Sequence, residues 1–300
     1  MDGKTLKLLA IVFVLLLGVV FYPTLQSRFA PIVVPTEFSF AAITRTQTKK
    51  ITIQQGTEEI TLTPEGNSWQ VGTYSASLDK IDGLFAALKD AKPESIVSRN
   101  PSNSGDYGLA SDSGTLVVFS GTAGETSVLV GSSGPTGTSF YAKKAGSNNV
   151  YLVDGTLNNL LTVQMADWRD RAIVRFTSDD VTALAMAGSI NFELQKNADT
   201  SWHLTSATVD KKLVDADVKP VLDGLATLTA TDFYSPDQAS QIQQNSDKRM
   251  LVIKDKNGKV IDSLKIIPDG SDFLVIADSK ADFYKVPGDS LSSLFSLPQK

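Results

Sequence analysis

The sequence predicts an α+β fold: an N-terminal transmembrane helix followed by two tandem duplicated units, each a mostly antiparallel sheet with one main amphipathic helix and a short terminal helix. Three observations predict it. Alternating apolar runs follow one another with turn signals between them and no interleaved helices, which favours antiparallel pairing. Ile81, Leu84, Phe85 and Leu88 fall at i, i+3, i+4 and i+7, one face of a helix, and Val218, Val221, Leu222 and Leu225 repeat that spacing 137 residues later. Leu8 to Tyr22 is apolar or Gly throughout.

The N-terminal segment is read first. Residues 1–7 carry Lys4 and Lys7, and residues 8–25 are apolar enough for a membrane anchor, which needs about 20 residues. Arg28 stands alone on the far side, so the positive-inside rule places the tail in the cytoplasm and the bulk of the chain outside, a single-pass cell-membrane topology. A cleaved signal peptide is the competing reading, but no small-residue cleavage site follows the apolar run. Pro31 and Pro35 suggest an extended linker over 26–48.

The duplication then sets the boundaries: a first unit at 49–165, a joint at 166–173 and a second unit at 174–300. Each unit opens with strands punctuated by turns, at Gly56 and Glu65-Gly66 in the first and near Gly188 and Asn197-Ala198 in the second. The stretches SWQV and SWHL end these runs and put Trp69 and Trp202 at the same place. A Trp there packs under the following helix, with its N–H on a backbone carbonyl. Pro220 is tolerated only in a first turn, so the second helix is expected to start at Asp217, with Asp215, Asp217 and Asp223 capping and charging its N-terminus. A short strand follows each helix, at Ile96-Val97-Ser98 and Phe233-Tyr234-Ser235. Two hairpins come next, TLVVFSGTAGETSVLV and MLVIKDKNGKVIDSLKI, the latter turning at Asn257-Gly258. Each unit closes with a strand, a Gly turn and a short amphipathic segment, VYLVDGTLNNLL and FYKVPGDSLSSLF.

Composition excludes several function classes. The net charge is −5 and no basic block occurs, which argues against nucleic acid. The absence of cysteine excludes disulfides, thiolate metal sites and cysteine nucleophiles. The single histidine, His203, cannot build a multi-histidine metal site, and no G-x-S-x-G is present. No catalytic residue, metal or cofactor is expected.

Three places remain as candidate partner-binding sites. Asp167-Trp168-Arg169-Asp170-Arg171 has two readings: an exposed recognition patch built on Trp168, Arg169 and Arg171, or an inter-unit joint in which an arginine pairs with a carboxylate. The loop Gly131 to Gly137, with Gly134, Pro135 and Thr136 at its centre, is not a Walker A loop; it reads as a strand connection or a partner-binding loop. His203 alternates with Trp202 and faces away from it, where the first unit carries Gln70.

GNSWQV, DYGLASDSGTLVVF, VLVGSSGPTGTSFYAKK, VYLV and DWRDRAIVRF together resemble the DUF4340 family over residues 50–240, with a weaker echo to the end. The resemblance implies a membrane-anchored extracytoplasmic protein with no established activity. Some family members occur beside gliding-type ABC transporter components. The second unit lacks the YGL motif and the Gly-rich loop. The expected function is therefore a non-catalytic accessory or protein-interaction subunit in the cell envelope, with the membrane and a protein as partners. Two alternatives stand beside it: an envelope glycan binder using Trp168, Tyr141 and Tyr151, and a hydrolase using paired carboxylates.

Overall fold

A computed structural model describes residues 36–122 and 124–299. Four strands open the first unit: β1 (Thr48–Gln55), β2 (Glu58–Glu65), β3 (Ser68–Val71) and β4 (Tyr74–Ser75). Helix α1 (Leu78–Asp90) follows, then β5 (Lys92–Ser98), β6 (Thr115–Gly121), β7 (Gly124–Ser133), β8 (Ser139–Lys144) and β9 (Val150–Asp154). The nine strands form one antiparallel sheet in the order β4-β3-β2-β1-β6-β7-β8-β9-β5.

The second unit begins after the four-residue helix α2 (Met165–Trp168). It contains β10 (Val181–Gly188), β11 (Phe192–Lys196), β12 (Trp202–Ser206), β13 (Asp210–Leu213), α3 (Asp215–Ala226) and β14 (Asp232–Phe233). Helix α4 (Pro236–Ile242), β15 (Arg249–Asp255), β16 (Val260–Asp269), β17 (Asp272–Ala277), β18 (Tyr284–Pro287) and α5 (Ser292–Phe295) complete it. Its sheet order, β13-β12-β11-β10-β15-β16-β17-β18-β14, repeats the first sheet strand for strand.

The predicted class is corrected by this architecture. The described chain is two antiparallel sheets with few helices, not an α+β protein. The two-residue edge strands β4 and β14 are too short to show alternation. The terminal helix expected in the first unit is a three-residue 3₁₀ turn, Leu157–Asn159. The anchor expected at 8–25 lies outside the described residues, and among those described no helix is long and apolar enough to cross a membrane. Phe38 and Phe40, inside the stretch read as linker, belong to the first core: Phe40 is fully buried, and Phe38 packs edge-on against Tyr151 at 5.5 Å.

One face of each sheet is closed by its main helix. Ile81, Leu84 and Leu88 of α1 are fully buried, each worth about 2 kcal/mol of apolar burial. Phe85 beside them meets Trp69 at 5.7 Å between ring centres. In the second unit Val218, Val221, Leu222 and Leu225 of α3 bury over Trp202, Leu204 and Leu213. The indole N–H of Trp202 donates to the Asp215 carboxylate at 3.0 Å, not to a backbone carbonyl as expected. Helix α3 starts at Asp215, so Pro220 lies inside it. Asp223 is far from its N-terminus and binds Ser178 and Lys219 instead.

The opposite faces are covered differently. In the second unit α4 lies over Ile267 and Leu274, forming a small separate cluster with Tyr234 and Ala239. In the first unit the 3₁₀ segment Pro101–Tyr107 occupies the same place in chain order. Tyr107 packs edge-on against Tyr141 of β8 at 4.8 Å, and Leu109 is buried. Gly108 has φ +66°, and a Cβ on it would stand 2.8 Å from the Ser132 backbone nitrogen. A Cβ on Gly131 would strike the Tyr107 carbonyl oxygen at 2.2 Å. The YGL motif and the start of the Gly-rich loop are thus two sides of one close backbone contact, and their glycines answer to packing.

Candidate functional site at the joint between the sheets

The chain from Trp168 to Ile173 crosses from one sheet to the other as an extended strap. Its first half hydrogen-bonds to the first unit: Ser77 N–H donates to the Trp168 carbonyl at 2.7 Å, and Asp170 N–H donates to the Ser75 carbonyl at 2.8 Å. Its second half hydrogen-bonds to the second unit: Ala230 N–H donates to the Arg171 carbonyl at 2.8 Å, and Ile173 N–H to the Leu228 carbonyl at 3.1 Å. Isolated antiparallel bridges at Ala76–Arg169 and Ala172–Thr229 mark the two halves. An extended strap alternates its side chains, so Arg169 and Arg171 leave one side and Asp170 the other.

Arg169 is buried between the sheets, with 9% of its surface exposed. Its guanidinium lies over the Tyr74 ring at 3.8 Å and over the Phe233 ring at 3.6 Å, one ring from each unit. Nε and Nη2 both donate to Asp282 Oδ1, at 2.9 and 2.5 Å. The Tyr284 hydroxyl donates to the other Asp282 oxygen at 3.4 Å. Burial, together with the charges of Asp282 and Asp170, pushes the Tyr284 hydroxyl well above the ordinary tyrosine range.

Asp170 forms a second ionic knot. It accepts from Lys280 at 2.9 Å, from Arg175 at 3.0 Å and from the Ala172 N–H at 3.1 Å. Burial pushes its carboxyl up, but the Lys280 hydrogen bond and charge, the backbone donor and Arg175 outweigh burial and hold it below the usual carboxylate range. Lys280 also donates to the Ala172 carbonyl, and Arg171 to the Thr231 carbonyl. Beside the strap lies an open cleft of about 400 Å³, edged by Asp79 and Lys80 of α1 and by Ala226 and Thr227 at the end of α3. Of its ionic lining, Asp170 pairs with Arg175, Arg169 reaches Asp282, Arg171 donates to the Thr231 carbonyl and Asp167 accepts from the Thr162 hydroxyl.

The structure does not gather the seven sequence-predicted residues into one site. Trp168 is 1% exposed and donates its indole N–H to the Thr162 carbonyl at 2.9 Å, so it is a core residue and not the exposed aromatic of a recognition patch. Tyr151, the second aromatic of the glycan reading, is also fully buried. Arg169 and Arg171 belong to the strap. Gly134, Pro135 and Thr136 sit on the β7–β8 hairpin, where the Thr136 hydroxyl donates to Ser139 Oγ at 2.7 Å. His203 is exposed on β12, its Nε2 2.9 Å from Asp210 Oδ1, while Gln70 at the matching place on β3 donates to Glu65 at 2.5 Å.

Sequence reasoning missed Tyr74, Phe233, Lys280 and Asp282. One signal was present. Tyr151 and Tyr284 hold equivalent places on β9 and β18, so the residue two before each is also equivalent: Asn149 in the first unit, Asp282 in the second. The acid appears in the copy that receives an arginine, whereas Asn149 hydrogen-bonds Glu37 at 2.5 Å.

The comparisons with known proteins bear on this region directly. No curated protein matches the chain, and no solved structure matches it. The family described as "Domain of unknown function (DUF4340)" matches residues 69–247, from the Trp of β3 across the strap to the loop before β15. A match that covers more than half of the chain and reaches into both sheets places the protein: it belongs to the DUF4340 family.

Proposed function

We propose that this protein is a non-catalytic accessory or protein-interaction subunit of a cell-envelope complex of the ABC-transporter type, working on the extracytoplasmic side of the membrane. The observation that carries the reading is the use made of charge at the joint. Arg169 and Asp170 of the strap pair with Asp282, Lys280 and Arg175 of the second unit, and so tie the strap to that sheet. A site that binds or transforms a small molecule keeps convergent polar groups for its ligand. Here the same groups build a broad two-sheet body, suited to presenting surface to a protein. The lysines before residue 8 and the lone Arg28 after residue 25 support the extracytoplasmic side.

Isolation of the full chain from its native membrane in mild detergent tests the reading. A reproducible, stoichiometric protein partner is the expected result, and repeated recovery of the chain alone sinks the proposal. Protease added to intact cells tests the sidedness: cleavage of the folded part is expected, and full protection overturns it.

A further inference from the structure

Two domains joined by a short connection move relative to one another unless the interface between them is large or specifically locked. Here the connection is hydrogen-bonded to both sheets along its length, and a single side chain closes the joint from inside. The Arg169 guanidinium is faced by a ring from each unit, Tyr74 at 3.8 Å and Phe233 at 3.6 Å, while its edge is taken by Asp282 of the second unit. We infer that Arg169 is a latch that fixes the orientation of the two sheets, so that the chain moves and unfolds as one body, and that the latch needs the plane of the guanidinium as well as its charge. The inference rests on the joint's geometry and is independent of the proposed function.

Three features support it. A flat cation can stack on two aromatic faces and still present its edge nitrogens to a carboxylate; an ammonium cannot do both. Asp282 stands where the first unit has Asn149, so the acid belongs to the joint and not to the repeat. The rings come from different units, so the stack exists only in one relative orientation of the sheets. Arg169 is a positioning residue in this scheme.

The chain has no cysteine, so labels can be placed cleanly. Spin labels on the full chain at Asn67→Cys and Lys256→Cys, on exposed hairpin tips of the two sheets, report the inter-sheet distance. The parent should give one narrow distance and one thermal transition. Arg169→Ala should lose the narrow distance and split the transition in two, with amide protection of β1 and β10 retained. Arg169→Lys should fail to rescue either readout. A narrow distance and a single transition in Arg169→Ala overturn the latch; full rescue by Arg169→Lys overturns the requirement for the plane. If Arg169→Ala does not fold, Phe233→Leu decides, since it leaves the ion pair in place: a broadened distance supports the latch, and an unchanged one overturns it.

Discussion

Asp170 binds Lys280, Arg175 and the Ala172 N–H at once, and its acidity follows. Because its folded pKa is lowered, its contribution to stability is complete above the unfolded value of about 4 and is lost as pH falls through the folded value. Urea unfolding of Asp170→Asn should therefore lie below the parent at neutral pH, and the gap should narrow in acid. Gly108 makes a second residue-scale case. Ala at this position meets both the left-handed φ and a Cβ 2.8 Å from Ser132 N, so Gly108→Ala should cost about 2–3 kcal/mol. Gly56 has a similar φ of +59° but nothing within 4 Å, so Gly56→Ala should lose only about 1 kcal/mol. Equal losses in denaturant titrations would refute the role given to the Ser132 contact. At this scale the sequence shows only a glycine within the YGL motif; its left-handed φ and the backbone that approaches it from β7 come from the structure.

At the scale of elements, Pro220 is the informative position. It sits six residues into α3, where it removes a backbone donor and crowds the preceding turn. Burial of Val218, Val221, Leu222 and Leu225 on either side of it outweighs that cost. Pro220→Ala should accordingly raise stability by about 2 kcal/mol, the helix gain less the entropy returned to the unfolded chain; an unchanged unfolding midpoint would show that the helix has already absorbed the proline. Helix α4 depends instead on its cap. Ser235 and Gln238 form a reciprocal capping box, and Ser235→Ala should cost about 1 kcal/mol by the same measurement. The faces of α1 and α3 were legible from spacing because the 3.6-residue period is local. The short strands after the helices, β5 and β14, were also read in place, whereas β4 and β13 were not, because an edge strand is defined by its neighbour as much as by its own alternation.

For the whole molecule, the joint couples two separate hydrophobic cores. Asp282→Ala leaves Arg169 buried without its carboxylate, and breaking such a pair costs about 3–5 kcal/mol. Differential calorimetry should show this loss acting on both sheets, and a loss confined to the second unit would mean that the pair serves β18 alone. The sequence by itself determined the repeated apolar faces and the positions of Trp69 and Trp202 beneath their helices, because each is written in local spacing or in the register between repeats; it left the charged segment between the copies open between a joint and a recognition patch. Only the tertiary structure decided that Trp168 is core, that Arg169 lies between Tyr74 and Phe233, and that its acid is Asp282, 113 residues along the chain. The reason is physical: periodicity reports which face of an element is buried, whereas the partner of a buried charge is set by how two finished sheets meet.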